Sequence, residues 1–279
     1  ELIAVGSVLF AGSALFLDKS QLASIYGAGK LFLKGVDVFR RPLNIWGSGF
    51  LMDAAASDVV KIRRVKVHAV RGKKTLEILK RTGFVKPEEV ESIVLGDPGL
   101  LFPSLLKARP PIRYDLGIVP HFRDYDEGLL MGRRFAALGV NVKVVDVMQD
   151  DPINVIREIA QCDKVLSSSL HGLIVSDALQ ISNRHIVFSM LGQTAQDFLF
   201  KFDDYYSAFA GNSPQPLDAH SVICRGLEIM HKADTWGRLT QKEVDSVQER
   251  LIESFPFPNA SIQNKNKNND SSSNHSNSE

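Results

Sequence analysis

The sequence predicts an α/β protein built on doubly wound parallel sheets, and three observations carry that prediction. Short Val- and Ile-rich runs alternate with segments of helical spacing along most of the chain, the order that puts helices on both faces of a parallel sheet. The runs are mostly closed by Gly, Pro, Asp or Ser, as buried strands feeding into loops are. The chain has 279 residues, 44% of them hydrophobic, enough to fill one large domain or two lobes of ordinary size.

Taken in order, "LIAVGSVLF", "LNIWGSG", "RVKVHAVR", "ESIVLGD", "YDLGIVPH", "NVKVVDVM", "DKVLSSS" and "RHIVFSM" read as strands. Helical spacing appears in "KKTLEILKRTG" and "EGLLMGRRFAALG", which end in Gly83 and Gly139, the residue type that closes a helix in the left-handed conformation. It continues in "DPINVIREIAQ", "HGLIVSDALQ", "AHSVICRGLEIMHKA" and "TQKEVDSVQERLIESF". The Pro-rich "LLFPSLLKARPPIRYD" at 100–115 interrupts the alternation and sets the expected lobe boundary. Residues 1–105 then form an N-terminal Rossmann-like lobe and 106–258 a C-terminal one. The apolar opening "ELIAVGSVLFAGSALFL" has neither a basic lead nor an initiator Met, so the first lobe is expected to be truncated. From Asn259 the chain turns to Asn and Ser with almost no apolar residues, and 259–279 is expected to be disordered. The N-x-S triplets at Asn259, Asn269 and Asn274 follow from that composition.

Charge excludes several partners. Thirty-three basic residues face 32 acidic ones, a net charge of +1, which gives no field to recruit nucleic acid or an anionic membrane. No apolar run reaches the roughly 18 residues of a membrane span. Cys162 and Cys224 lie far apart, without metal-ligand spacing, and are expected to be two buried thiols.

The stretch "DKVLSSSLHGLIVSDALQ" at 163–180 carries the chemistry. "KVL" is the strand, Ser167, Ser168 and Ser169 form the turn, and His171 with Gly172 opens a helix. Ligands of doubly wound sheets lie beyond the carboxyl ends of the strands, where helix N-termini carry positive partial charge. Amides and hydroxyls of this turn can cradle a phosphate, and the imidazole can move a proton near pH 7. On spacing alone, His171 as a simple helix cap explains the pattern equally well.

"SSSLHGLIVSDAL" resembles the signature of the polysaccharide pyruvyl transferase family. "NIWGSGF" (44–50), "VHAVRGKKTLEIL" (67–79), "LGDPGLLFP" (95–103) and "LGIVPHFRD" (116–124) come in that family's order, so the likeness covers roughly residues 2 to 200. The resemblance implies two Rossmann-like lobes facing a cleft, similar to the glycosyltransferase-B arrangement. It implies transfer of pyruvate from phosphoenolpyruvate to two hydroxyls of a saccharide, free or lipid-linked, as a ketal. Phosphoenolpyruvate is then a donor substrate, with no further cofactor and no metal. It further implies work on cell-surface glycans or exopolysaccharide, in the cytoplasm at the inner face of a membrane, or in the Golgi lumen of a eukaryote.

By that resemblance His171 is the general acid that protonates the methylene carbon of the donor. Arg71 clamps the donor's phosphate or carboxylate with its planar fork, and Leu170 contributes through its backbone. Ser168, Ser169 and Gly172 belong to the same turn. His121 and Arg123 occupy another strand-end loop, and Ser48, between Gly47 and Gly49, a third. Thr75 takes a hydroxyl position of the Arg71 block, and Asp97 with Pro98 reads as a turn. Some members carry an arginine where this chain has Ser169, which leaves Arg123 or Arg184 to supply the second cation. Two rival readings stay open here: a nucleotide-sugar glycosyltransferase of the same architecture, and a non-catalytic carbohydrate-assembly subunit.

Overall fold

The computed structural model describes residues 2–5, 43–51, 53, 65–188, 195–210, 213–232, 236–237 and 239–257. Most of the opening 40 residues and the Asn/Ser-rich tail, expected to be truncated edge and disorder respectively, lie outside the described residues. The architecture is mixed α/β with two parallel sheets. The first holds β1 (Leu2–Val5), β2 (Leu43–Ser48), β3 (Val65–Val70) and β4 (Val94–Leu95) in that order. The second holds β5 (Tyr114–Val119), β6 (Val142–Val144), β7 (Cys162–Ser167), β8 (Ser182–Val187) and β9 (Leu217–Asp218), in the order β6-β5-β7-β8-β9. Sequential strands therefore run outward in both directions from the β5/β7 pair. That pair is the switch point, and a crevice opens beyond its carboxyl ends.

Helices connect the strands: α1 (Lys73–Arg81), α2 (Tyr125–Ala137), α3 (Pro152–Ile159), α4 (Leu170–Ala178), α5 (Ala195–Tyr206), α6 (Ala219–Arg225), α7 (Leu227–His231) and α8 (Gln241–Glu253). In α1 the buried Leu76, Ile78 and Leu79 alternate with exposed Lys73, Lys74, Glu77 and Lys80, the pattern of a helix lying on a sheet. Gly83 and Gly139 adopt φ of 72° and 86° just past α1 and α2, as their positions predict. Asp151 caps α3 by accepting from Ile153 N at 2.9 Å, with Pro152 at the first helical position. Thr240 and Glu243 cap α8 reciprocally.

Several expectations need correction. The segment 219–233 breaks into α6 and α7 at Gly226, where φ is 49°. Only Val94–Leu95 of "ESIVLGD" pairs as strand, because Pro87 starts a 3-10 helix over Pro87–Ser92. Cys162 is buried but Cys224 is exposed, on the outer side of α6. Helix α5 is not predicted by the sequence pattern at all, and it supplies both Lys201 and Asp204.

Two helices of the chain beyond 195, α5 and α8, return to the first sheet. One apolar cluster joins Trp46, Ala69 and Leu100 to Leu170, Leu173 and Ile174 of α4, Phe202 and Tyr205 of α5, and Val244, Val247 and Leu251 of α8. Trp46 donates its indole N–H to Leu251 O at 3.0 Å. At the other end of α1, Gly72 is the N-cap and has no side chain to offer. Asp204 of α5 takes that role: it accepts from Thr75 N at 2.9 Å and Thr75 Oγ1 at 2.6 Å, a carboxylate at the positive end of a helix. It also receives Arg71 Nε at 3.0 Å, with side-chain exposures of 1% and 0%.

This docking leaves no room at Gly72, where an added Cβ would lie 1.7 Å from Asp204 O. Its φ of −164° is open to any residue, so the constraint is space. Gly72→Ala is expected to cost about 1–3 kcal/mol of stability, the range of overpacked sites. A urea titration reads it as a lower midpoint at unchanged slope; an unchanged midpoint contradicts this packing.

Candidate active site

Arg71 comes just after the carboxyl end of β3, Asp97 after that of β4, His121 after that of β5, and His171 after that of β7. The β5/β7 crevice is built by serine hydroxyls. Ser167 Oγ donates to Val119 O at 2.8 Å and accepts from Ser169 N at 3.0 Å. Ser168 Oγ donates to Asp124 Oδ2 at 2.7 Å and accepts from His121 N at 2.8 Å. These bonds tie the two loops together and commit the hydroxyls of Ser167 and Ser168 to the protein. Ser169 is the N-cap of α4, though its side chain makes no capping bond. The first-turn amides of α4 have no intrahelical partner, and Leu170 and His171 supply two of them. Leu170 is 4% exposed and its side chain belongs to the core. Gly172 fits against β5 and β7, where an added Cβ would lie 2.3 Å from Ser167 Oγ.

His171 is half-buried at the second position of α4. Burial pushes its imidazole below the ordinary value; Asp97 opposes this, while Arg71 and Lys201 add to it. Asp97 is 0% exposed. One carboxylate oxygen accepts from Gly99 N at 2.8 Å, the turn role its sequence suggests. The other, Oδ2, has no hydrogen-bond partner among the described residues. Gly99 stands between the two groups: a Cβ there would lie 3.1 Å from Asp97 Oδ1 and 3.7 Å from His171 Cδ2. A carboxylate thus sits within electrostatic reach of the imidazole and favours its protonated form.

The structure supplies a cation that the sequence pattern does not announce. Lys201 of α5 is half-buried, with Nζ 5.2 Å from the centre of the Phe202 ring. Burial pushes its ammonium down to about 8, Arg71 and Arg123 push the same way, and Asp124 opposes them. Lys201 also acts on His171 and His121. His121 is driven to about 4 by burial, then by Lys201 and Arg123, so it is neutral at pH 7. Its Nδ1 accepts from Arg123 N at 3.4 Å. Arg123 itself is exposed, with its guanidinium over the Phe122 ring.

Arg71 is 1% exposed. Besides Asp204, its guanidinium donates to Phe50 O, and Gly49 lies against it: a Cβ there would meet Arg71 Cζ at 2.5 Å. Ser48 is buried, and its carbonyl accepts from Arg71 N at 3.0 Å. The Gly47–Gly49 turn therefore packs on the arginine. Arg184 acts on His185 and Tyr206, whereas the charges acting on His171 are Asp97, Arg71 and Lys201. Among the described residues no three His, Cys, Asp or Glu side chains converge as a metal set would.

Fold and site together define a doubly wound α/β protein with an imidazole and several cations gathered at its strand ends, an arrangement suited to anionic ligands. Residues 5–187 match the family described as polysaccharide pyruvyl transferase. The chain belongs to that family, as the five sequence blocks suggested, and the family is one of transferases with saccharide acceptors. Among curated proteins it is similar to an uncharacterized protein of Acanthamoeba polyphaga mimivirus, 34% identical over 187 residues. The alignment covers 66% of this chain and 61% of that protein. No solved structure matches the chain. No helix among the described residues is long and apolar enough to cross a membrane.

Proposed function

We propose that the chain transfers pyruvate from phosphoenolpyruvate to two hydroxyls of a saccharide, forming a ketal and releasing phosphate. The observation that carries this reading is the placement of His171 under the joint influence of Asp97, Arg71 and Lys201. Without donor the lowered imidazole is neutral. A dianionic donor beside it raises its proton affinity, in the same direction as Asp97. His171 then gives its proton to the methylene carbon, and C2 becomes the electrophile. A sugar hydroxyl oxygen bonds to C2 and its proton returns to the imidazole; the second hydroxyl displaces phosphate, which takes the last proton. The two sheets are the lobes of a glycosyltransferase-B-like arrangement, with this site in the cleft between them.

In this reading Lys201 replaces the arginine that Ser169 lacks. It is a charged donor contact, and losing one costs about tenfold to a hundredfold in affinity. Lys201→Gln is expected to weaken phosphoenolpyruvate binding by that factor, measured by calorimetry. The ammonium titrates at about 8, so it is cationic below that pH and neutral above it. Donor affinity of the unaltered protein should therefore fall as pH rises through 8, and the Gln variant should lose that step. Equal affinities at pH 7 remove Lys201 from the donor site.

The overall assignment is tested by thermal shift and by labelled phosphoenolpyruvate, with the mass of the acceptor as readout. At about 100 times its dissociation constant, the donor should stabilise the fold by roughly 2.7 kcal/mol. Stabilisation by nucleotide sugars and none by phosphoenolpyruvate would mark the chain as a glycosyltransferase instead.

A further inference from the structure

Arg71, Lys201 and Arg123 at the strand ends suit an anionic donor, and Asp124 does not fit that set. It is the N-cap of α2 and of a type that readily caps, yet its side chain makes no capping bond. The carboxylate turns instead to the serine turn after β7, where Oδ2 accepts from Ser168 Oγ at 2.7 Å. Oδ1 accepts no hydrogen bond among the described residues, and Asp124 is only half-buried. Asp124 also acts on Lys201, and Lys201 on His171, so the carboxylate belongs to the same crevice. Two residues earlier, Phe122 is 51% exposed. The centre of its ring lies 4.4 Å from that of His121 and 5.6 Å from Arg123 Cζ. Lys201 acts on His121, and Arg123 on Lys201, which sets this exposed ring at the rim of the crevice and not on a remote surface.

We propose, taking the place of the donor from the pyruvyl-transfer reading, that the loop 121–124 is the subsite of the saccharide acceptor. Asp124 Oδ1 accepts hydrogen bonds from hydroxyls of the sugar, and Phe122 packs on the C–H face of its ring. The chemistry separates this ligand from the donor. A carboxylate repels phosphoenolpyruvate but is a strong acceptor for neutral hydroxyls. An aromatic face matches the apolar side of a pyranose and offers nothing to a phosphate. The bond from Ser168 holds the carboxylate in place before the sugar arrives, which lowers the cost of ordering it on binding. Ser168 stands three residues before His171 in the same turn, so a sugar held by Asp124 is held at the His171 end of the crevice.

Saturation-transfer NMR reads binding of this weak kind. The whole chain, with and without phosphoenolpyruvate, is mixed in turn with the methyl glycosides of glucose, galactose and mannose and of their N-acetylamino counterparts. At least one glycoside should show transfer, strongest at its ring C–H protons. Its dissociation constant should rise about tenfold or more in Asp124→Asn and roughly three- to tenfold in Phe122→Ala, and stay near the unaltered value in Phe122→Tyr. Asparagine still accepts from Ser168 Oγ, so the turn is kept, and a melting curve of each variant reads any loss of structure. Phe122→Ala should leave the affinity for phosphoenolpyruvate unchanged. No transfer to any of the glycosides, or constants indifferent to both the Asp124 and Phe122 substitutions, overturns the proposal. Glycoside binding that survives Phe122→Ala while a dimer seen by ultracentrifugation is lost gives the ring to a protein contact and also overturns it. Where Asp124→Asn does not fold, Phe122→Ala and Phe122→Tyr decide. The pyruvyl-transfer reading fails separately, by the absence of labelled product, because the glycoside measurements need no turnover.

Discussion

His171→Gln is expected to lower pyruvyl transfer by about 10²- to 10⁴-fold, the usual contribution of a positioned acid, while donor binding falls far less. Glutamine keeps a hydrogen-bonding side chain of similar reach but carries no proton it can give up at neutral pH. The geometry separates this from the capping explanation. The N-cap of α4 is Ser169, and His171 sits at the second helical position, so a cap does not require it. If the imidazole serves structure alone, turnover should survive and only stability change, by about 1 kcal/mol. Labelled phosphoenolpyruvate gives the rate, and a melting curve of the same preparation gives the stability. A variant that transfers pyruvate at nearly the unaltered rate ends the role of His171 in the chemistry.

The largest expected loss of stability belongs to Asp204→Ala, at about 3–5 kcal/mol. The substitution strands a guanidinium that is 1% exposed and removes the acceptor for Thr75 N at the start of α1. Taking one partner from a buried pair costs far more than the pair is worth, because the remaining charge has lost both water and counter-ion. Asp204→Asn should lose less, since its amide oxygen still accepts one of these hydrogen bonds. Urea unfolding of the three proteins ranks them. A loss below about 1 kcal/mol for the Ala variant would place this pair in the class of solvent-screened surface bridges.

The strands of the second sheet other than β9, and most helices, are legible in the sequence because each is a local pattern. A run such as "KVLS" needs two buried faces, and α1 and α8 show apolar spacing of 3 and 4. Helix α5 breaks that logic. Its sequence "DFLFKFDDYY" places Phe198, Phe200 and Phe202 at alternate positions, a period of 2 that imitates a strand and masks the helix. Lys201 and Asp204 are hidden with it. Arg71 is legible as a strand-end cation, but its partner stands 133 residues away, and no local pattern announces an ion pair at that separation. Asp97 is legible only as a turn, because its Oδ1 performs that local role while its proximity to His171 depends on the meeting of two sheets.

The contact between Trp46 and Leu251 has a consequence for how the protein is made. Strands β2, β3 and β4 leave the ribosome early, yet Val244, Val247 and Leu251, which seal their apolar face, are translated about 150 residues later. At about 5–20 residues per second the nascent first sheet waits on the order of ten seconds with Trp46 and Ala69 uncovered. Vectorial synthesis thus exposes a hydrophobic surface that the finished molecule conceals, and the early chain is a natural client for a ribosome-bound chaperone. A ribosome stalled after residue 188 should carry a protease-sensitive first sheet, and one stalled well past residue 257, with α8 outside the tunnel, a resistant one.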